Sequence, residues 1–285
     1  MKVLVFGASG LLGTVLCQHL KEAGNDVHGF GRSPENPCRT EAEIEAAFTR
    51  AIERAAPECV INLIAATNVD RCEKNMSHAA LLNCFVPQVL SQLCRAGLHL
   101  IHVSSDQVYG GGGPHDESGA RPINIYSLTK LIGEYPVLQA GGCVLRTNFF
   151  GRSRTASRIS LSDWLIAAGR EHQSIQVFND VWFSPLGMST LSSAIRLAAT
   201  QRLAGLFNVG AANAVSKAEF ARLFFHRLNL DSRLLKSVSI GAAGLEALRP
   251  RDMRMNSERF AQATGFVLPT IQQEIDNEAV KYLQP

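Results

Sequence analysis

The order of the first twenty residues narrows the possible fold more than any other stretch. Lys2-Val3-Leu4-Val5-Phe6 is a short apolar run bounded by glycine, suited to a strand buried on both faces. It leads directly into Gly7-Ala8-Ser9-Gly10-Leu11-Leu12-Gly13 and an amphipathic helix through about Leu20. Glycines at such a junction permit a tight turn and let backbone amides approach a pyrophosphate, which the positive end of the following helix stabilises. The spacing is G-x-x-G-x-x-G rather than G-x-G-x-x-G. A plain glycine-rich connection has the same composition, but the position at the first strand-helix junction favours phosphate binding.

The following segments repeat the strand-helix alternation. Asp26 to Phe30 reads as a second strand, and the residues after it bear on cofactor choice. An acid there bonds adenosine ribose hydroxyls, whereas an arginine accommodates a 2'-phosphate. The chain reads Gly31-Arg32-Ser33, which points to NADPH with NADH as the lesser option. Thr40 to Ala56 has helical spacing, and Thr40 with Glu43 forms a capping-box pattern. Cys59 to Ile64 reads as a buried strand ending in Ala65-Ala66-Thr67-Asn68, small residues that let a flat cofactor pass close to the backbone. After the charged run Val69-Asp70-Arg71-Cys72-Glu73, one helix is expected from about His78 to Ala96, containing Asn83. His99 to Val103 delivers Ser104-Ser105-Asp106 to the carboxyl edge of the sheet, where open parallel sheets place ligands. Gly142 to Arg146 is the last clear strand of this half. The pattern predicts an α/β fold with a doubly wound, Rossmann-type parallel sheet.

Tyr126 and Lys130 sit four residues apart at what reads as a helix start, so phenol and ammonium share one face. A free phenol titrates at about 10, and a nearby cation lowers that value, making it a better acid toward a developing alkoxide. Any long helix can offer this pair by accident; the upstream nucleotide-binding pattern gives it meaning.

Composition excludes several alternatives. A formal net charge of +3 over 285 residues leaves no electrostatic footprint for nucleic acid or an anionic membrane. The N-terminus lacks a signal-peptide pattern and no apolar run reaches membrane-spanning length, so a cytoplasmic protein is expected. The seven cysteines (17, 38, 59, 72, 84, 94 and 143) include no Cys-x-x-Cys pair, and are read as reduced packing residues with no metal cluster.

Beyond Thr147 the regularity weakens. Helices are expected at Ile159 to Ala168, Met188 to Thr200, Lys217 to Leu228, Ser257 to Ala263 and Thr270 to Tyr282, with strands at Leu206 to Val209 and Leu234 to Ile240. This predicts a nucleotide-binding domain over 1–148 plus about 186–210. A smaller mixed substrate domain takes about 149–185 plus 211–285. Arg249, Arg251 and Arg254 in one loop either hold a phosphate-bearing substrate or form ordinary charged surface.

The glycine pattern, Ser105, and Tyr126 with Lys130 resemble the extended short-chain dehydrogenase/reductase superfamily. Within it, the chain is similar to the dTDP-4-dehydrorhamnose reductase family along nearly its whole length. That likeness is carried by Ala65 through Asp70 with Glu73 and Asn83, Val103 through Tyr109, Asn124 through Glu134, Leu145-Arg146-Thr147, Asn179-Asp180 with Ser184-Pro185, and Arg249-Pro250. The resemblance implies Tyr126 as general acid, Lys130 acting on the phenol and the nicotinamide ribose, and Ser105 bonding the carbonyl oxygen of the sugar. It implies NADPH held by Gly7, Ser9, Gly10, Leu11, Leu12, Gly13, Arg32, Ala65, Ala66, Thr67, Asn83 and Ser104. It places Val69, Asp70, Ser105, Asp106, Asn148, Phe149 and Arg249 against a nucleotide-linked sugar, and allows a homodimer.

Three departures qualify the likeness. The related 4,6-dehydratases carry Thr-Asp-Glu where this chain reads Ser105-Asp106-Gln107, and an amide cannot exchange the proton that dehydration needs. The reductases usually place a tryptophan after Arg-Thr-Ser; here Asn148-Phe149 follows Arg146-Thr147, which leaves the sugar open. Cys38-Arg39-Thr40 stands where an acid often meets adenine. The expected activity is NADPH-dependent reduction of a nucleotide-linked 4-keto-6-deoxy sugar. The alternatives are a nucleotide-sugar epimerase and a non-catalytic NADP-binding regulatory subunit.

Overall fold

The computed structural model describes residues 1–31, 39–94, 97–155 and 158–283. The first half alternates strand and helix: β1 (Lys2–Phe6), α1 (Leu11–Glu22), β2 (Asp26–Phe30), α2 (Glu41–Ala55) and β3 (Cys59–Asn62). Then come α3 (Val69–Lys74), α4 (Met76–Ala80), a π-helical turn (Leu81–Phe85), α5 (Val86–Leu93), β4 (His99–Ser105), α6 (Ile125–Gln139) and β5 (Cys143–Thr147). The second half comprises β6 (Phe149–Phe150), α7 (Leu161–Arg170), β7 (Ile175–Phe178), β8 (Trp182–Phe183), β9 (Leu186–Gly187), α8 (Met188–Thr200) and β10 (Gly205–Val209). It ends with β11 (Val215–Ser216), α9 (Lys217–Arg227), β12 (Leu235–Val238), β13 (Asp252–Met253), α10 (Glu258–Thr264) and α11 (Ile271–Leu283).

Six strands form one parallel sheet in the order β10-β5-β4-β3-β1-β2. The chain reverses direction across the sheet at β1 and β3, so the loops leaving those two strands diverge and open a crevice. Alternate residues of β1 bury into opposite layers. Val3 and Val5 pack with Leu12 and Leu16 of α1 and Leu191 and Ile195 of α8. Leu4 and Phe6 pack with Ile44 and Phe48 of α2 and Val86 and Leu90 of α5. Burial on both faces explains why β1 shows no polar alternation. Phe6, Phe30 and Phe48 meet at centroid distances of 4.4–5.3 Å, and truncating the fully buried Phe48 to alanine would cost about 3–5 kcal/mol.

The apolar cluster beneath α1 and α8 continues into Phe150, Phe183, Phe220 and Phe224, so the second half shares a core with the first. Small sheets, β11-β8-β13 and β12-β7, complete that half.

Two expected elements differ. The helix expected at 78–96 is three pieces: α4, then a π turn that accommodates Asn83, then α5, which starts with Pro87 in its first turn. The strand expected over Leu234 to Ile240 is confined to β12, with short 3-10 turns on either side. Of the seven cysteines, Cys38 lies outside the described residues; the other six are free. No helix among the described residues is long and apolar enough to cross a membrane.

Candidate active site

A cavity of about 530 Å³ opens at the carboxyl ends of β1, β3 and β4. Its floor is the loop between β1 and α1. Gly7 has φ +87°, a conformation that L side chains rarely adopt, and its carbonyl accepts from Gly10 N at 2.9 Å. A Cβ on Gly13 would stand 2.2 Å from that same carbonyl, so only glycine lets α1 start this close to the loop. Gly10 is the N-cap, yet among the described residues no side chain caps the turn, and no acid lies within it. The first-turn amides of α1 therefore face the cavity as an anion-binding end. Gly7, Ser9, Gly10, Leu11, Leu12 and Gly13 all line the cavity.

Ala65 and Thr67 line it from the loop after β3, while Ala66 and Asn83 stand behind. Asn83 is fully buried: Oδ1 accepts from Ala66 N at 2.8 Å, and Nδ2 donates to Thr129 Oγ1 at 3.0 Å. It therefore ties the loop after β3 to α6 instead of reaching the cavity, and the wide π turn supplies its angle. Arg32 lies outside the described residues.

Ser105 ends β4, and Tyr126 and Lys130 project from the first turns of α6; all three line the cavity with Ser104. The start of α6 is fixed by a reciprocal box between Asn124 and Ser127, and by Glu73, whose Oε2 accepts from Ile125 N at 3.0 Å. Burial pushes the Tyr126 phenol up to about 12, opposed by a hydrogen bond from Ser105. The expected acidification by Lys130 is absent. Lys130 Nζ is turned down to Val103 O at 2.9 Å and His102 Nε2 at 3.3 Å, so desolvation dominates the phenol. Lys130 itself is brought down to about 8 by burial, opposed by Glu134.

Asp106 is buried beside Ser105, and burial raises it to about 6 against the hydrogen bond donated by Asn148 Nδ2 at 2.6 Å. Asn148 and Phe149 line the same cavity. Val69, Asp70 and Arg249 stand outside its lining, in a layer packed on Tyr126: Val69 and Tyr126 share an apolar cluster with Ala247. Asp70 holds Arg249 Nη2 at 2.8 Å and Ala247 N at 3.1 Å. The three loop arginines do not form a free cationic cluster. Arg249 pairs with Asp70, Arg254 with Asp252 at 2.5 Å, and Arg251 lies 3.7 Å from Asp180.

A family model described as RmlD substrate binding domain matches residues 1–283. The chain belongs to the RmlD family. Its curated relatives include the dTDP-4-dehydrorhamnose reductase of Shigella flexneri, 29% identical over 296 residues covering 94% of each chain. The dTDP-4-dehydrorhamnose reductase of Mycobacterium tuberculosis is 30% identical over 275 residues, 92% of this chain and 87% of the relative. Among solved structures, the dTDP-4-dehydrorhamnose reductase of Bacillus anthracis in complex with NADP superposes with a TM-score of 0.87. It covers 99% of this chain and 100% of its own at 24% identity, a likeness of fold.

This RmlD-family chain also exposes to its cavity residues to which the sequence assigns no binding role. Gln107 and Thr147 line it from the matching motifs, and Arg158 and Ser160 from around the start of the helix expected at Ile159 to Ala168. His102 and Asn62 were read only as members of apolar strands, although both are fully buried polar groups.

Proposed function

We propose that this chain reduces the 4-keto group of a nucleotide-linked 4-keto-6-deoxy sugar, with NADPH preferred over NADH. The observation that carries the reading is convergence. Ser105, Tyr126 and Lys130 share one cavity with the Gly7–Gly13 loop, a carbonyl-reducing constellation beside a pyrophosphate cradle.

The glycine loop and the open first turn of α1 fit a dinucleotide pyrophosphate, and Ala65 and Thr67 leave room for its flat central part. When bound, NADPH supplies the hydride. Ser105 Oγ bonds the carbonyl oxygen, and the Tyr126 phenol, held protonated by its surroundings, donates the proton that the forming alkoxide needs. Lys130 would hold ribose hydroxyls from below. Asp106, kept in place by Asn148, faces the sugar from beside Ser105. Gln107 offers no proton for dehydration, which supports reduction alone.

The Asp70–Arg249 pair also holds the backbone of Ala247, which packs with Val69 and Tyr126, and there it would meet the nucleotide. Pairing of β10 with β5 and packing of α8 on α1 support assigning about 186–210 to the nucleotide-binding domain, and 149–185 with 211–285 to the substrate domain. The reading is of a cytoplasmic protein acting on a small-molecule nucleotide sugar, and it allows a homodimer.

The test is incubation with NADPH and a panel of dTDP-, UDP- and GDP-linked 4-keto sugars. NADPH consumed in proportion to one of them supports the proposal. Sugar interconversion with no net cofactor consumption would replace it with epimerisation.

A further inference from the structure

Beneath Lys130 lies a chain of hydrogen bonds whose donor and acceptor roles can be assigned from one fixed end. Asn62 on β3 and His102 on β4 are direct cross-strand partners, and both are fully buried. The Ile64 backbone amide, which can only donate, lies 3.0 Å from Asn62 Oδ1. This identifies the Asn62 oxygen and leaves its NH2 group 3.0 Å from His102 Nδ1. An amide nitrogen only donates, so Nδ1 must carry the lone pair. Burial and the neighbouring lysine both push His102 well below its usual range, so the ring is neutral with its one proton on Nε2. That N–H points at Lys130 Nζ, 3.3 Å away.

An Nε2–H facing Nζ finds an acceptor only in the uncharged amine. An ammonium there has no lone pair, and would leave both groups presenting hydrogens to each other. The amine satisfies every group in the chain: it accepts from His102 and donates to Val103 O at 2.9 Å. The ionisable groups that favour charge on Lys130 are Glu134 on its own helix and Cys84 on the π turn. Glu134 is itself engaged by Arg146 and by Ser104. His102, from the strand below, acts in the opposite direction.

We infer that His102 and Asn62 are positioning residues for Lys130. Asn62 locks the imidazole as its Nε2–H tautomer, and that tautomer favours the uncharged lysine and so sets the pH at which the active-site lysine loses its proton. This deepens the reductase reading and rests on it for its catalytic consequence, because the ammonium is the form that would hold the ribose hydroxyls.

Two measurements test it. Nitrogen NMR of histidine-labelled wild-type protein, with the His102 signal assigned from His102→Gln, reads the tautomer without substrate or cofactor. A neutral ring protonated on Nε2 is expected; a ring protonated on Nδ1, or on both nitrogens, at neutral pH overturns the inference. The second is Asn62→Leu, which frees the ring to place its proton on Nδ1 and turn the Nε2 lone pair to the ammonium. The titration of Lys130, followed through its side-chain carbon resonance, and the alkaline limb of kcat/KM are both expected to rise by about 1 pH unit. A limb and titration that stay in place or fall contradict it. If the protein reduces no 4-keto sugar, the functional reading fails while tautomer and lysine titration still decide this one.

Discussion

Arg146 and Glu134 form a buried ion pair in which Nη2 lies 2.6 Å from one carboxylate oxygen, and Nε lies 3.0 and 3.1 Å from the two. The pair joins β5 to α6, and extends through Ser104 Oγ at 2.5 Å to β4 and through Tyr109 Oη at 2.9 Å toward β10. Since α6 carries Tyr126 and Lys130, this pair holds that helix, and with it both side chains, in register with the sheet. Arg146→Met leaves the Glu134 carboxylate buried without its partner, and a loss of about 3–5 kcal/mol is expected in urea unfolding. A loss under about 1 kcal/mol, the scale of an exposed pair, would remove the pin from the account.

Tyr126→Phe keeps the ring in its apolar cluster with Val69 and Ala247, and deletes only the hydroxyl. The expected result is a fall in kcat of about 10²–10⁴-fold with NADPH affinity and folding close to wild type. Turnover at the wild-type rate would take the phenol out of the chemistry.

Asp106 gives the stability a pH dependence whose sign follows from its raised value. Burial lifts it from 3.8 to about 6, so between those values the folded state binds more protons than the unfolded one. Stability from this group is therefore present below about pH 4 and lost as pH rises to about 6, by on the order of 2–3 kcal/mol. Asp106→Asn keeps an acceptor for Asn148 and removes the ionisation. Relative to wild type, its stability is expected to rise across that interval and level off above it. Parallel stability profiles for the two proteins would show that the carboxylate is not under this constraint.

Gly13→Ala tests the cradle. The added Cβ meets Gly7 O at 2.2 Å and the Ala8 backbone at 2.9 Å, so the loop must open to accept it. NADPH affinity is expected to fall at least about tenfold, since one lost or misaligned charge-assisted hydrogen bond is worth about 1.5 kcal/mol or more. An unchanged Kd by nicotinamide fluorescence would mean that the phosphates bind elsewhere.

What the sequence reveals and what it hides follows from the range of the interactions concerned. β1, the glycine loop and α1 are legible because buried-strand composition, turn chemistry and helical period all act within twenty residues. Tyr126 and Lys130 are legible because helical spacing alone puts them on one face. The π turn at Leu81–Phe85 is not, because one added residue per turn barely alters the apolar pattern, and only the contact of Asn83 with Ala66 and Thr129 demands it. The aspartate partners of Arg249 and Arg251 lie far off in the chain, at Asp70 and Asp180, so the three arginines read as a cluster until the fold pairs them. Asn62 opposite His102 is a matter of sheet register, which neither strand encodes alone. The phenol of Tyr126 fails for the same reason: its pKa depends on burial and on where Lys130 turns, neither of which the four-residue spacing fixes.

The central claim, that a hydride passes within this cavity to a sugar carbonyl beside Ser105 and Tyr126, is tested most directly by isotope transfer. The protein is supplied with NADPH deuterated at the transferring position of the nicotinamide and a dTDP-linked 4-keto-6-deoxy sugar, and the product is read by NMR. The account requires deuterium on sugar C4 in proportion to cofactor oxidised, and no transfer by Tyr126→Phe at comparable times. Folded protein that binds NADPH yet leaves the label on the nicotinamide with every 4-keto nucleotide sugar offered would contradict it.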